Sequence, residues 1–133
     1  MYRIFSDGGS RGNPGPSAYA IVVTKDDKII HQHSEFLGHG TNNYAEYRGL
    51  IAGLAKAIEL GIDSAEFVMD SELVVKQMTG EYEIKSGSIK NLYLDAKALS
   101  SMIPEITFRS VRRHEMLIPV ADALLNEELD KNQ

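Results

Sequence analysis

The 133-residue chain contains no cysteine, which excludes a disulfide, a thiolate metal site, an iron–sulfur cluster and a cysteine nucleophile. Any metal must be held by oxygen or imidazole, a donor set that favours hard cations such as magnesium or manganese. Positive charge is scarce: 14 Lys and Arg stand against 19 Asp and Glu, a formal charge of −5 with a pI near 5.3. Strongly basic nucleic-acid binders usually lie above a pI of about 9, so this balance argues against tight non-specific coating of DNA. It still permits a local basic strip. No run approaches the ~18 apolar residues of a membrane span, and Asp7 interrupts the N-terminus before any stretch of signal-peptide length. These absences predict a soluble, cytoplasmic protein without repeats, linkers or low-complexity tracts.

What is present is ordinary for a globular domain: 43% hydrophobic and 25% charged residues. That composition excludes a disordered tail, a collagen-like repeat and a coiled coil. The length predicts one domain, residues 1–133, burying roughly two-thirds of the surface its unfolded chain exposes.

Residues 2–6 read as a short strand ending at Asp7, followed by a turn region rich in glycine and proline over 8–16. The near-continuous apolar run 17–23 predicts a strand buried on both faces. A polar turn at Lys25–Lys28 leads to a third strand over about 28–37, completing an antiparallel meander. The period then changes. Thr41 or Asn42 caps a helix to about Leu60 whose stripe is Tyr47, Leu50, Ile51, Leu54 and Ile58, with Gly61 as its stop. Strand 66–69 ends at Asp70. Ser71 caps a helix over 72–79 stopped by Gly80, and Ser88 begins another with stripe Ile89, Leu92, Tyr93, Ala96 and Leu99. Strand 106–111 and a helix opened by Pro119, running to about Asp130, complete the chain. The order β-β-β-α-β-α-α-β-α predicts an α/β fold: a mixed five-stranded sheet, first three strands antiparallel, flanked by about four helices.

Asp7 and Asp70 stand directly after predicted strands, where α/β sheets build their sites. Glu46 and Asp122 fall near the first turns of their helices, where acids also serve as dipole complements. Taken singly, each acid also suits a turn or a helix end. Should the four converge, each like-charged pair at ~4 Å costs about 4 kcal/mol at an effective dielectric near 20. Divalent cations relieve that repulsion, and two of them suit phosphodiester hydrolysis.

Four blocks carry a family likeness: DGGSRGNPGP (7–16), TNNYAEYRGL (41–50), MDSELVVKQMTGEY (69–82) and ADALLN (121–126). In order and separation they resemble type 1 ribonuclease H, and the likeness covers nearly the whole chain. The resemblance implies the same five-stranded sheet and endonucleolytic cleavage of the RNA strand of an RNA–DNA hybrid. It implies two magnesium ions, with manganese as a substitute, and 5′-phosphate and 3′-hydroxyl ends. By motif match, Asp7, Glu46, Asp70 and Asp122 correspond to the metal-binding carboxylates. Gly8, Gly9 and Ser10 correspond to a segment where the backbone approaches the RNA strand and its 2′-hydroxyls. Asn13, Asn42 and Asn43 correspond to minor-groove contacts, His39 with Thr41 to a phosphate pocket for the DNA strand, and Ser71 to a further substrate contact. His114 corresponds to a loop histidine aiding proton transfer or product release.

The chain departs from the pattern in three places. Glu72 stands where some relatives have glutamine and cannot donate the same hydrogen bond. Met116, Leu117 and Ile118 occupy a stretch where relatives place a polar His or Asn. Neither a basic, tryptophan-containing handle nor an appended hybrid-binding domain is evident. Arg109, Arg112 and Arg113 form the densest basic cluster, and strand alternation would set Arg112 on the face opposite the other two. With few basic contacts, modest and not steeply salt-dependent binding is expected, without base reading. No protein partner is implied, and a monomer is expected. GGSRGNPG lacks both G-x-G-x-x-G and a G-K-[ST] ending, which dismisses a nucleotide-binding loop. Two alternatives stay open: a catalytically silent hybrid- or RNA-binding module, and a related nuclease of this fold acting on another polynucleotide.

Overall fold

A computed structural model describes residues 1–133. The elements are β1 (Tyr2–Ser10), β2 (Gly15–Lys25), β3 (Lys28–Gly40), α1 (Asn42–Glu59), β4 (Ser64–Met69), α2 (Glu72–Met78), α3 (Gly87–Ser100), β5 (Glu105–Ser110) and α4 (Ile118–Lys131). The sheet order is β3-β2-β1-β4-β5, with β1, β2 and β3 antiparallel and β4 and β5 added in parallel. Element order and sheet both match the sequence-based expectation. No helix is long and apolar enough to cross a membrane.

The meander is longer than its composition suggested. Gly8, Gly9 and Ser10 are strand rather than turn, pairing with Tyr19, Ala18 and Ser17, so the true turn is confined to 11–14. Glycine and proline marked that turn correctly but blurred its edges. The β2–β3 turn is tight because Asp26 and Asp27 both take positive φ, 51° and 68°, the two-residue hairpin geometry that matches strand twist.

Helices cover both faces. On one, Ile4, Phe67 and Met69 pack beneath Tyr47, Leu50 and Leu54 of α1, with Val74, Val75 and Met78 of α2. The α3 stripe is only half-buried apart from Ala96 because α3 lies on α1, not on the sheet. On the other face, Phe5, Ala20, Val22 and Val68 meet Ile118, Ala121, Leu125 and Leu129 of α4. Strand β2, second in the order, is buried from Ser17 to Thr24. Thr41, not Asn42, caps α1, its Oγ1 accepting the Tyr44 N–H at 3.1 Å. Ser71 caps α2 by accepting the Val74 N–H at 3.2 Å.

Candidate active site

Register begins the site. The last parallel pair of β1 and β4 is Phe5–Val68. Asp7 and Asp70 each stand two residues beyond it, and two residues along a strand return to the same face. That is the face covered by α4, which carries Asp122 in its second turn. Glu46 lies in the second turn of α1, not the first. It reaches the site because α1 passes hard against β1: a Cβ at Gly8 would lie 2.4 Å from the Ala45 carbonyl and 2.6 Å from Glu46 N. Gly8 thus has a packing duty besides any approach to substrate.

All four acids line one cleft of about 240 Å³, together with Gly8, Gly9, Ser10, Arg11, Asn42, Arg113 and Asn126. Burial, then the charges of Asp70 and Asp122, lift the Asp7 carboxyl to about 8. Hydrogen bonding with Asp122 also favours the protonated Asp7, while Asp7 in turn favours the ionised Asp70. Burial chiefly lifts Glu46 to about 7, opposed by a hydrogen bond with Ser71, and Asp70 is also raised, mainly by burial. The one cation within ion-pair reach of the four is Arg113, its Nε 3.9 Å from Asp70 Oδ2. The acids line one cleft, but no three His, Asp or Glu side chains are grouped closely enough here to hold a metal ion. As a donor set, carboxylate oxygens without sulfur or imidazole suit hard divalent cations.

The other expected positions divide. Asn42 Oδ1 accepts from the Ser10 N–H at 2.8 Å and the Ser10 hydroxyl at 3.1 Å, while Asn13 Oδ1 accepts the Asn42 N–H at 3.1 Å. The asparagines therefore tie the β1–β2 turn to the start of α1. Asn13, Thr41, Asn42 and Asn43 line a second hollow that shares Asn42 and Glu46 with the acid cleft. His39 lines neither, and His114, exposed on the loop after β5, lies outside the acid cleft. Ser71 stands beside Asp70 as the α2 cap and meets Glu46. Glu72 is turned to Lys76 at 2.6 Å. Sequence reasoning missed Arg11, which lines the acid cleft while its Nη2 lies 2.7 Å from Asp130 of α4; a lone turn arginine gives no signal of that partner.

Comparison with known proteins agrees with the geometry. A family model described as reverse transcriptase-like matches residues 5–127. The ribonuclease H1 structure of Halobacterium salinarum superposes with a TM-score of 0.92 at 37% identity, covering 98% of each chain. The chain belongs to the ribonuclease H family, a family of hydrolytic nucleases. LC11-RNase H1, solved in complex with RNA/DNA hybrid, is 34% identical with a TM-score of 0.92 over 99% of both chains. The bifunctional protein Rv2228c of Mycobacterium tuberculosis is 44% identical over 129 residues, 96% of this chain but 35% of that protein. The ribonuclease HI of Halobacterium salinarum is 38% identical over 95% of this chain, which spans 63% of that relative's length. The N-terminal ribonuclease H domain of Rv2228c superposes with a TM-score of 0.93.

Proposed function

We propose that this ribonuclease H cleaves the RNA strand of RNA–DNA hybrids endonucleolytically and without sequence preference, leaving 5′-phosphate and 3′-hydroxyl ends. The observation that carries this reading is the convergence of Asp7 of β1, Glu46 of α1, Asp70 just after β4 and Asp122 of α4 on one cleft. Structural acids would be spared such mutual repulsion. The hybrid as substrate is supported by likeness to LC11-RNase H1, whose structure holds one.

The four carboxylates are the proposed holders of two magnesium ions, manganese substituting. Bound there, such a pair supplies an activated water and charge stabilisation at the phosphodiester. The chain's own residues do the rest. Asp7 and Glu46 hold protons near neutrality that must leave before their oxygens can ligate. Ser71, fixed by its bond from Val74 N–H, steadies Glu46. Gly9, Ser10, Asn13, Asn42 and Asn43 supply small or amide groups along the cleft edge, where 2′-hydroxyls and minor-groove atoms are read. Thr41, with His39 nearby on β3, is the proposed phosphate contact on the DNA strand, and His114 the proposed mobile imidazole. The enzyme is read as a cytoplasmic monomer.

The test is incubation with labelled hybrid, single-stranded RNA and duplex RNA, with magnesium, manganese or EDTA, beside Asp70→Asn. Metal-dependent cutting of the hybrid's RNA alone, lost in the variant, is expected. Hybrid binding without cleavage under either metal would overturn the enzymatic reading in favour of a silent module.

A further inference from the structure

On the Asp70 side of the acid cleft lies a third depression, of about 510 Å³, lined by Arg109, Arg112 and Arg113. The two depressions are continuous, since Asp70 and Arg113 line both. Strand alternation would have parted Arg112 from the others, but β5 ends at Ser110 and the last two arginines stand on the loop beyond. The root of that loop is fixed: the Val111 N–H donates to Met69 O at 2.9 Å, next to Asp70.

These guanidinium groups are loosely engaged. Arg109 is 3.7 Å from Glu66, which Arg3 already holds at 3.1 Å, and Arg113 is 3.9 Å from Asp70. Charge-assisted pairs close at about 2.7–2.9 Å, so neither arginine is committed. Arg112 makes no ion pair and is exposed, as is Arg113. Of the acids on the rim, Glu72 is taken by Lys76 and Asp70 belongs to the cleft, leaving Glu115 alone to oppose three cations. Planar, permanently charged forks of this kind match phosphate oxygens.

We infer that this hollow is a backbone-phosphate subsite, taking phosphates of the cleaved strand that flank the one in the acid cleft on its Asp70 side. The inference rests on the nuclease reading above. It requires an anionic strand to leave the cleft past Asp70, and this is the contiguous exit lined with cations. Contacts of this type set the position of a strand but read no bases, in keeping with sequence-independent cutting.

Salt dependence of hybrid binding tests it, because each phosphate that is no longer neutralised takes about 0.7–0.9 from the slope of log K against log salt. Anisotropy of a labelled hybrid, in EDTA to prevent turnover, would compare the wild type with Arg112→Ala, Arg109→Ala/Arg112→Ala and Lys28→Ala. The first should flatten the slope by about 0.7–0.9 and the double variant by about 1.4–1.8, whatever the sequence, while Lys28→Ala leaves it unchanged. These side chains are exposed or half-buried, so unaltered melting temperatures should accompany the flattening. If the wild type cuts hybrid and the double variant keeps its slope, this subsite is overturned and the nuclease reading stands. If the wild type neither binds nor cuts hybrid, both fall together.

Discussion

Gly8 and Ala45 leave no room for a β-carbon between them: one added at Gly8 would sit 2.4 Å from both the carbon and the oxygen of the Ala45 carbonyl. The obstacle is backbone, which cannot rotate away. Strand β1 and helix α1 touch there, at the residues adjoining Asp7 and Glu46. Gly8→Ala should therefore cost about 3 kcal/mol in denaturant unfolding, the upper range of overpacking, and abolish cleavage by parting those two acids. Gly9 is a different case, with its nearest prospective neighbour at 3.7 Å. Gly9→Ala should keep stability within about 1 kcal/mol, and a fall in hybrid affinity without unfolding would locate the close approach of substrate there.

The raised carboxyls make a signed prediction about pH. Asp7 moves from an ordinary 3.8 to about 8 and Glu46 from 4.5 to about 7. Between those limits the folded chain holds more protons than the unfolded one, so stability falls as pH rises. Without divalent cation, the melting temperature should decline from about pH 4 to about pH 8. Asp7→Asn should flatten that decline and melt no lower than the wild type at pH 8. Magnesium should raise the melting temperature most at the alkaline end, where the oxygens are free to ligate. A wild-type melting temperature that climbs with pH in EDTA would contradict the crowding of these acids.

The buried Tyr47 hydroxyl donates to Gln77 Oε1 at 2.7 Å and joins α1 to α2. Tyr47 follows Glu46, and Gln77 lies on the helix that begins after Asp70 and Ser71, so this bond sets the spacing of two acids. Tyr47→Phe strands the Gln77 oxygen and should cost about 1–3 kcal/mol by chemical denaturation. Adding Gln77→Met removes the stranded group and should recover most of that stability. Wild-type stability of Tyr47→Phe would show the bond to be dispensable.

The architecture was legible because β2 is apolar from Ala18 to Val23, α1 and α3 each keep a single stripe, and glycines stop helices at 61 and 80. What stayed hidden was tertiary. The extension of β1 through Gly8–Ser10 depends on α1 packing against a bare glycine, which no local propensity encodes. Asn42 looked equally suited to a cap, but Thr41 took that place and freed its amide for Ser10. Each acid had a plain local explanation; only register and packing bring the four together. The half-burial of α3 depends on its lying upon another helix, which its stripe alone cannot tell.

Arg11 supplies the last prediction. It stands in the β1–β2 turn, lines the acid cleft, and points not at the acids but along α4, 2.7 Å from Asp130 and 3.3 Å from Asn126 O. Asn126 in turn donates its Nδ2–H to Asp122 O at 2.9 Å. Helix α4 has no side-chain cap at its start, so Arg11 is a polar tie on the helix that brings Asp122 to the cleft. The pair with Asp130 is largely exposed, so Arg11→Ala should cost at most about 1 kcal/mol of stability. Its effect should fall on kcat, about tenfold, and on the magnesium concentration that half-saturates the rise in melting temperature, with KM for hybrid unchanged. Asp130 does not line the acid cleft, and Asp130→Asn should reproduce both effects in weaker form. Were Arg11 instead a phosphate contact, Arg11→Ala would raise KM and flatten the salt slope while Asp130→Asn did neither; that pattern would sink the tie.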